Sequence, residues 1–445
     1  MSFAKVLFFG FGIWAVSMSA PSISAQEATA HPIHLANGKA FTLSLPASFK
    51  IDVAAQGLKC VRFMAMSPDH RIFVTDMYDR ADNSRGRVYI LDDWDEKNHK
   101  FNKITPYLES LRNPNNLAFY TEPAQNGKPA QSWLYLPLTD RLLRYKYNAG
   151  DDTPADPPEV LAHYPDYGLN YKYGGWHLTR TVAFATLHGQ TRLYLTVGSS
   201  CNACQEKEEV RATLIVMDPD GKHQQILARG LRNAVDIEFV PSIDNGALFG
   251  TNMGADHLGD HDPEDTFFEL DSNARPVPAG SDYGWPTCYF DHGVPYPDHF
   301  VADPKPTDHI FPRPPAGPPP RQVDCTKIPA VYTAFKAHSS PLGLEYFDSA
   351  NTVLADTFVV ALHGASHPHI GTGYRVVSFT LSDRKPRDFI TGFLVDGKVK
   401  GRPCGILRTG PDAFLLTDDL DGVVYYIHST DRRFASKSGH DSIDQ

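Results

Sequence analysis

The stretch GLKCVRFMAMSPDHRIFVTD (57–76) opens on a glycine turn, runs as an apolar β-rich segment, breaks at Ser-Pro-Asp, and resumes as a second strand with a polar end. The same pattern returns in order along the chain. It reads SLRNPNNLAFY with WLYLPLTD from 110, GGWHLTRTVAF with TRLYLTVGSS from 174, and GLRNAVDIEF with ALFGTN from 230. It then reads AHSSPLGLEYF with DTFVVALHG from 337, and GRPCGILRTGPDAFLLTDD from 401. Self-similarity in a fixed order means one supersecondary unit copied about an axis. Several strands per copy, with no helical period between copies, predict an all-β chain: a six-bladed β-propeller with long inter-blade loops. Such folds carry their chemistry in loops at one end of a central channel. The turn opening each repeat is therefore where functional residues are expected.

A chain of 445 residues would ordinarily divide into two or three domains. A closed ring escapes that expectation, each blade being expected to hold its own small core while closure makes one unit. Hydrophobic content of 42% with 21% charged residues is that of a soluble globular protein. The net charge of −10 gives no footprint for nucleic acid and argues against an anionic membrane surface.

Lys5, the apolar run 6–16 and the small residues after it read as a secretory signal with cleavage after Ala25, or after Ala30 as second choice. The run is too short to span a bilayer. The expected division is a signal over 1–25, an extended leader over 26–45, the propeller over 46–430 and a disordered tail over 431–445. The Pro-rich stretch 312–320 belongs to an insertion near 288–325. Export, into a periplasm where the source has one, makes disulfides possible, and the six cysteines are even in number. Cys201 and Cys204 are close enough to bridge in a tight turn, and Cys288 and Cys325 bracket the Pro-rich stretch. Cys60 and Cys404 hold the same place in the first and last repeats, so a bond between them would lock the ring. Other pairings stay open, because connectivity is not written in spacing.

Eight motifs occur in one order: GWHLTRTVAF (175–184), LYLTVGSSCNAC (193–204), GLRN (230–233), DHLG (256–259) with PEDTFFEL (263–270), YGWP (283–286), AHSSPLGLEYF (337–347), ALHG (361–364) with GYRVV (373–377), and FLVDGKVKGRP (393–403). Together they resemble the soluble quinoprotein sugar dehydrogenases, the PQQ-dependent aldose and sorbosone dehydrogenase group, across roughly residues 50–428. The resemblance implies a six-bladed propeller that oxidises a sugar or sugar-derived aldehyde to a lactone or acid. It implies PQQ and Ca2+ as cofactors, and a small sugar as substrate.

His177 stands where that family carries its general base, with Arg180 beside it. An imidazole that titrates near neutrality suits removal of a hydroxyl proton. By the same resemblance Arg232 lies against the quinone's reactive carbonyl and Asn233 bonds the cofactor edge; a permanently charged fork suits a developing oxyanion. The loop that follows would offer the carbonyls of Gly254 and Ala255 to calcium, supported by Asp256, Glu264 and Asp265. His257 and His261 also permit a transition-metal reading, which ranks lower without a third nitrogen ligand. Tyr283 and Trp285 would stack on a flat cofactor or form a packing corner. Lys336, His338 and Arg375 are candidates to pair with the cofactor's carboxylates, and His363 ends a strand facing the same channel.

The family's HGSWNR is replaced here by HGASHPH (363–369), with Ser366, His367 and His369 in place of the expected tryptophan and arginine. Ala255 stands where arginine is common. CNAC is followed by Gln205, so no c-type haem motif is present and electrons would leave to an external acceptor, a cytochrome or quinone pool. Two other classes stand beside the dehydrogenase. One is a calcium-dependent lactonase-type hydrolase using Asp236, Asp256 and Asn233. The other is a non-catalytic carbohydrate- or protein-binding propeller without the quinone.

Overall fold

Each quoted repeat becomes one antiparallel sheet in a computed structural model that describes residues 27–125, 127–166, 177–302, 321 and 323–431. The signal over 1–25, the Pro-rich stretch 312–320 and the tail from 432 lie outside the described residues, as does the start of the third repeat at 174–176. Blade 1 comprises Val61–Met66, Ile72–Asp76, Gly86–Asp95 and Lys100–Leu111; blade 2 comprises Ala118–Glu122, Gln131–Pro137, Arg141–Tyr147 and Glu159–His163. Blade 3 is Arg180–Leu187, Gln190–Val197, Thr213–Met217 and Gln225–Arg229, extended by Ser281–Asp282 parallel to the last of these, and blade 4 is Ile237–Val240, Ala247–Asn252, Asp265–Ser272 and Thr333–Phe335. Blade 5 follows with Pro341–Phe347, Thr357–Leu362, Arg375–Thr380 and Arg387–Ile390. Blade 6 takes three strands from the C-terminal repeat, Pro403–Gly410, Ala413–Asp418 and Val423–Ser429. Its fourth is Phe49–Ala55, paired antiparallel to Val423–Ser429. That strand exchange closes the six-bladed ring.

The second strands Ile72–Asp76, Ala247–Asn252 and Thr357–Leu362 are buried at every residue, because a neighbouring blade covers each face. This is why each reads as a largely apolar run, with a few buried polar residues such as Thr75 and Thr251 among them. Outer strands such as Lys100–Leu111 are half solvated and mix charge with apolar residues. The packing differs from the expectation that each blade holds its own core. Apolar clusters fill the seams between blades: Phe73 with Leu134 between blades 1 and 2, Phe249 with Phe358 between blades 4 and 5, and Val74 with Leu415 between blades 6 and 1. A single twisted sheet has no inside, so its apolar faces must meet a neighbour.

Residues 28–46 are more than an extended leader. Ala28–His34 and Ala40–Pro46 form a hairpin that buries Ile33, Leu43 and Leu45 against the blade 5–6 core, and Ser44 and Thr391 exchange backbone bonds of 2.9 and 3.0 Å. The insertion in blade 4 carries a second hairpin, Cys288–Asp291 with Val294–Pro297. Two expected disulfides form, Cys201–Cys204 and Cys288–Cys325, whereas Cys60 and Cys404 are free and buried. The ring is locked by other means. Cys404 packs with Phe63, Val235 and Leu342. At the closure Thr417 Oγ1 donates to the Arg62 carbonyl at 2.5 Å, and a Cβ on Gly405 would stand 2.4 Å from that same oxygen. Blades 6 and 1 thus meet backbone to backbone.

Candidate active site at the channel mouth

Phe63, Val235, Leu342 and Cys404 come from blades 1, 4, 5 and 6 and touch one another, so they plug the axis as an apolar floor. Around it the repeat-opening turns present a collar of buried arginines: Arg62, Arg180, Arg232 and Arg402, none more than 7% exposed. Each is fixed by protein acceptors. Arg62 donates to Asn115 Oδ1 at 3.0 Å and to Asp419 Oδ2 at 2.7 Å. Arg402 donates to the Gly364 and Ala365 carbonyls at 2.9 and 3.0 Å and to the Tyr374 hydroxyl at 3.1 Å.

His177 precedes the inner strand of blade 3. Arg180 reaches back and donates to the carbonyls of His177 and Thr179 at 2.9 and 2.8 Å, which pins the turn; burial pushes this guanidinium down to about 9. Ser199 Oγ donates its only proton to the Cys201 carbonyl at 2.7 Å. Its contact with His177 Nδ1 at 2.8 Å must then run from imidazole to hydroxyl. This places the imidazole proton on Nδ1 and the lone pair on Nε2. Burial, followed by the charge of Arg232, holds the imidazole well below its ordinary pKa and favours the neutral form. Gly198 makes the packing possible: a Cβ there would stand 2.5 Å from His177 Cβ and 2.7 Å from Asn233 Oδ1.

Arg232 organises the facing loop. Its Nε donates to the Asn202 carbonyl at 2.8 Å, Nη1 to the Gly254 carbonyl at 2.6 Å, and Nη2 to Asn202 Oδ1 and Asp256 Oδ2 at 2.9 Å each. Burial opposes ionisation of Asp256, but Arg232 and His338 hold its carboxyl well below the usual carboxylate range. His338 contacts Asp256 Oδ1 at 3.3 Å and the Gly259 carbonyl at 2.7 Å, both pure acceptors. It is therefore an imidazolium, and the bond to Asp256 raises it to about 9. The Asn233 amide donates to Met253 Sδ at 3.4 Å, beside the floor.

The other sequence candidates divide: Glu264, Tyr283 and Trp285 line a small cavity with Arg232, Gly254 and Ala255, and the remaining charged and histidine candidates lie outside its lining. Glu264 accepts from Gly293 N at 2.8 Å and braces the insertion hairpin. Asp265 accepts from Gly254 N and Ser340 N at 2.7 and 2.8 Å; burial pushes it up to about 7. Trp285 packs against the Cys201–Cys204 pair and donates to the Asn202 carbonyl at 3.0 Å, while Tyr283 is buried edge-on against Phe268. These two aromatics make the packing corner. Arg375 pairs with Asp388 at 2.9 Å, one strand outward. Lys336 is exposed and makes no ion pair among the described residues. His363 donates from Nε2 to Asp419 at 2.9 Å, and burial pushes it down to about 4. His257 bonds Asp298 at 2.8 Å, and His261 is exposed. His367 and His369 are exposed. Asp236, which a hydrolase would need on the axis, accepts from Leu344 N and Ile237 N at 2.9 and 3.0 Å and braces blades 4 and 5.

Sequence reasoning passed over Ser199, Asn202, Arg402 and Asp419. One signal was available for Arg402, since KGRP opens its repeat as SLRN and GLRN open theirs. The donor chemistry fits both implied groups. The Gly254 carbonyl and the ionised Asp256 are oxygens of the kind a hard divalent ion takes, and both accept from Arg232 here. The arginine collar, with the exposed Lys336, suits a polycarboxylate.

Comparison with known proteins agrees with this architecture. The TrAA12-like family model matches residues 44–389. A Trichoderma reesei protein of carbohydrate-active enzyme family AA12 is 16% identical, with 87% of this chain and 97% of that chain covered at a TM-score of 0.63. The holo pyranose dehydrogenase PQQ domain of Coprinopsis cinerea gives 16% identity, 87% and 97% coverage and a TM-score of 0.62. The apo soluble aldose sugar dehydrogenase of Escherichia coli gives 11% identity, 86% and 99% coverage and a TM-score of 0.54. At these identities the likeness is one of fold. An uncharacterised protein of Borreliella burgdorferi is 26% identical over 246 residues, 53% of this chain, and the match spans little more than half (57%) of that relative's length.

Proposed function

This chain belongs to the TrAA12-like family, and on that premise we propose that it oxidises a sugar or sugar-derived aldehyde, aldose- or sorbosone-like, to a lactone or acid with PQQ and calcium. The observation that carries the reading is the bond chain from His177 through Ser199 to the Cys201 carbonyl, which directs a lone pair to His177 Nε2. His177 takes the substrate hydroxyl proton on that nitrogen as the adjacent carbon gives up its hydride. Arg180 keeps the imidazole in register through its carbonyl. Arg232 donates to the Gly254 carbonyl and to Asp256 and would place fixed positive charge beside the bound oxidant. Gly254, Ala255 and Asp256 would hold calcium; Arg402 and Lys336 would meet the quinone's carboxylates. When bound, PQQ supplies the two-electron acceptor and passes the electrons to a separate cytochrome or quinone pool.

The test is a dye-linked assay on purified protein with a panel of aldoses and sugar-derived aldehydes. Reduction of the dye that requires both PQQ and calcium supports the proposal. Hydrolysis of a lactone or ester without quinone would replace it with the hydrolase reading, and sugar binding without either turnover would replace it with the binding module.

A further inference from the structure

Far from the channel, the seam between blades 6 and 1 carries a second constellation. Asp52 lies on Phe49–Ala55, the strand that closes the ring, and His428 lies on its partner Val423–Ser429. The register pairs Lys50 with His428 and Asp52 with Tyr426, so Asp52 and His428 are diagonal neighbours on one sheet face. His99, in the turn between Gly86–Asp95 and Lys100–Leu111 of blade 1, meets that face. His99 Nδ1 is 2.9 Å from Asp52 Oδ2, and His428 Nε2 is 3.5 Å from the same oxygen. One ligand atom from each of the three residues lies within 4.8 Å of the others.

His428 Nε2 is buried and has no hydrogen-bond partner. A buried ring nitrogen aimed at a carboxylate it does not bond is an unfilled coordination position. Both imidazoles are also held in fixed planes. His99 stacks on Trp94 at 6.3 Å and 23°, His428 stacks on Tyr426 at 5.1 Å and 19°, and the two imidazoles meet at 4.5 Å. Ring orientation is therefore set before any ion arrives. The side chains of His99 and Asp52 remain 30% and 40% exposed, which leaves an entry path and room for water.

The geometry points to a binding site for a late first-row divalent cation, zinc above all, formed by Asp52, His99 and His428. Metal–ligand bonds of about 2.0–2.1 Å in a tetrahedron set neighbouring ligand atoms about 3.3–3.4 Å apart, between the 2.9 and 3.5 Å found from Asp52 Oδ2 to the two imidazoles. Two imidazole nitrogens and one carboxylate oxygen favour zinc, copper or nickel over the hard ion suited to the channel loop. The ion replaces the proton His99 shares with Asp52, fills the open position at His428 and takes water as fourth ligand. It would tie the closing strand, its C-terminal partner and the first blade at one point, and so staple the ring where Cys60 and Cys404 do not.

The experiment is a Zn2+ titration of EDTA-treated full-length protein against a chromophoric chelator, in parallel with His99→Ala/His428→Ala. The wild type should bind one more zinc per chain than the double variant. Its Tm should rise by about 3 °C at a hundredfold excess over Kd, while that of the variant stays fixed. Equal stoichiometry in the two proteins, or no zinc bound by the wild type, overturns the site. Should the variant lose its native far-UV spectrum, anomalous scattering from zinc-soaked wild-type crystals decides: a peak among the three residues supports the site, and its absence overturns it.

Discussion

His177 illustrates how much of a residue's chemistry is set by a neighbour's single proton. Ser199 spends its hydroxyl hydrogen on the Cys201 carbonyl, and that choice fixes the imidazole tautomer two bonds away. Replacement His177→Ala should lower turnover by about 10²–10⁴-fold with quinone binding unchanged, read by steady-state kinetics beside a cofactor titration. Wild-type turnover in that variant removes His177 from the mechanism. Because burial and Arg232 depress its pKa, the base form persists below pH 6.5, and the acid limb of kcat/KM should fall on the acid side of that value. A limb centred above pH 7 contradicts this. His363 gives a stability counterpart. Its folded pKa of about 4 lies below the ordinary 6.5, so the unfolded chain takes the proton first as pH falls. Stability from this group is whole above pH 6.5 and is lost as pH drops towards 4. Urea midpoints at pH 7, 5.5 and 4.5 should fall less steeply in His363→Asn than in the wild type; parallel slopes would contradict the linkage.

Among the strands, the second ones were legible because burial on both faces keeps the run mostly apolar, as in FVVAL or the FLL of FLLTD. The closing strand FKIDVAA was not, since its partner lies at the far end of the chain and a single strand carries no record of a distant mate. Equally silent in the sequence was the clasp between blades. Thr75, Thr251 and Thr417, each on a second strand, donate from Oγ1 to the Asn115, Leu342 and Arg62 carbonyls of the next blade at 2.7, 2.9 and 2.5 Å. Thr417 also accepts from Gly405 N at 2.7 Å. Thr417→Val keeps the shape and strands both backbone groups, which should cost about 1–3 kcal/mol in urea unfolding. A cost near zero, like that expected at the exposed Thr186, would show that the clasp contributes nothing to closure.

For the whole molecule, the repeat count and the ordered motifs carried the architecture, while the candidate site was read from repeat openings, as for His177 and Arg232, and from the family's loop pattern, as for Gly254, Ala255 and Asp256. Tyr283 and Trp285 show the limit: an aromatic pair reads alike as a cofactor lid or as cover for a disulfide, and only the position of Cys201–Cys204 decides. The thiols follow the same logic. Burial pushes Cys404 up to about 12 and Cys60 higher still, so both should stay silent towards a thiol reagent in the native protein and react after denaturation. Native reactivity would mean that the seam between blades 6 and 1 opens. The central claim, that this collar of buried arginines and loop oxygens receives a quinone and a hard cation for sugar oxidation, is tested most directly by titrating the apo-protein with PQQ and calcium under absorbance, then adding aldoses. Saturable micromolar binding, with the quinone spectrum bleached by a sugar, is the predicted result; an unchanged spectrum at millimolar calcium would contradict the account.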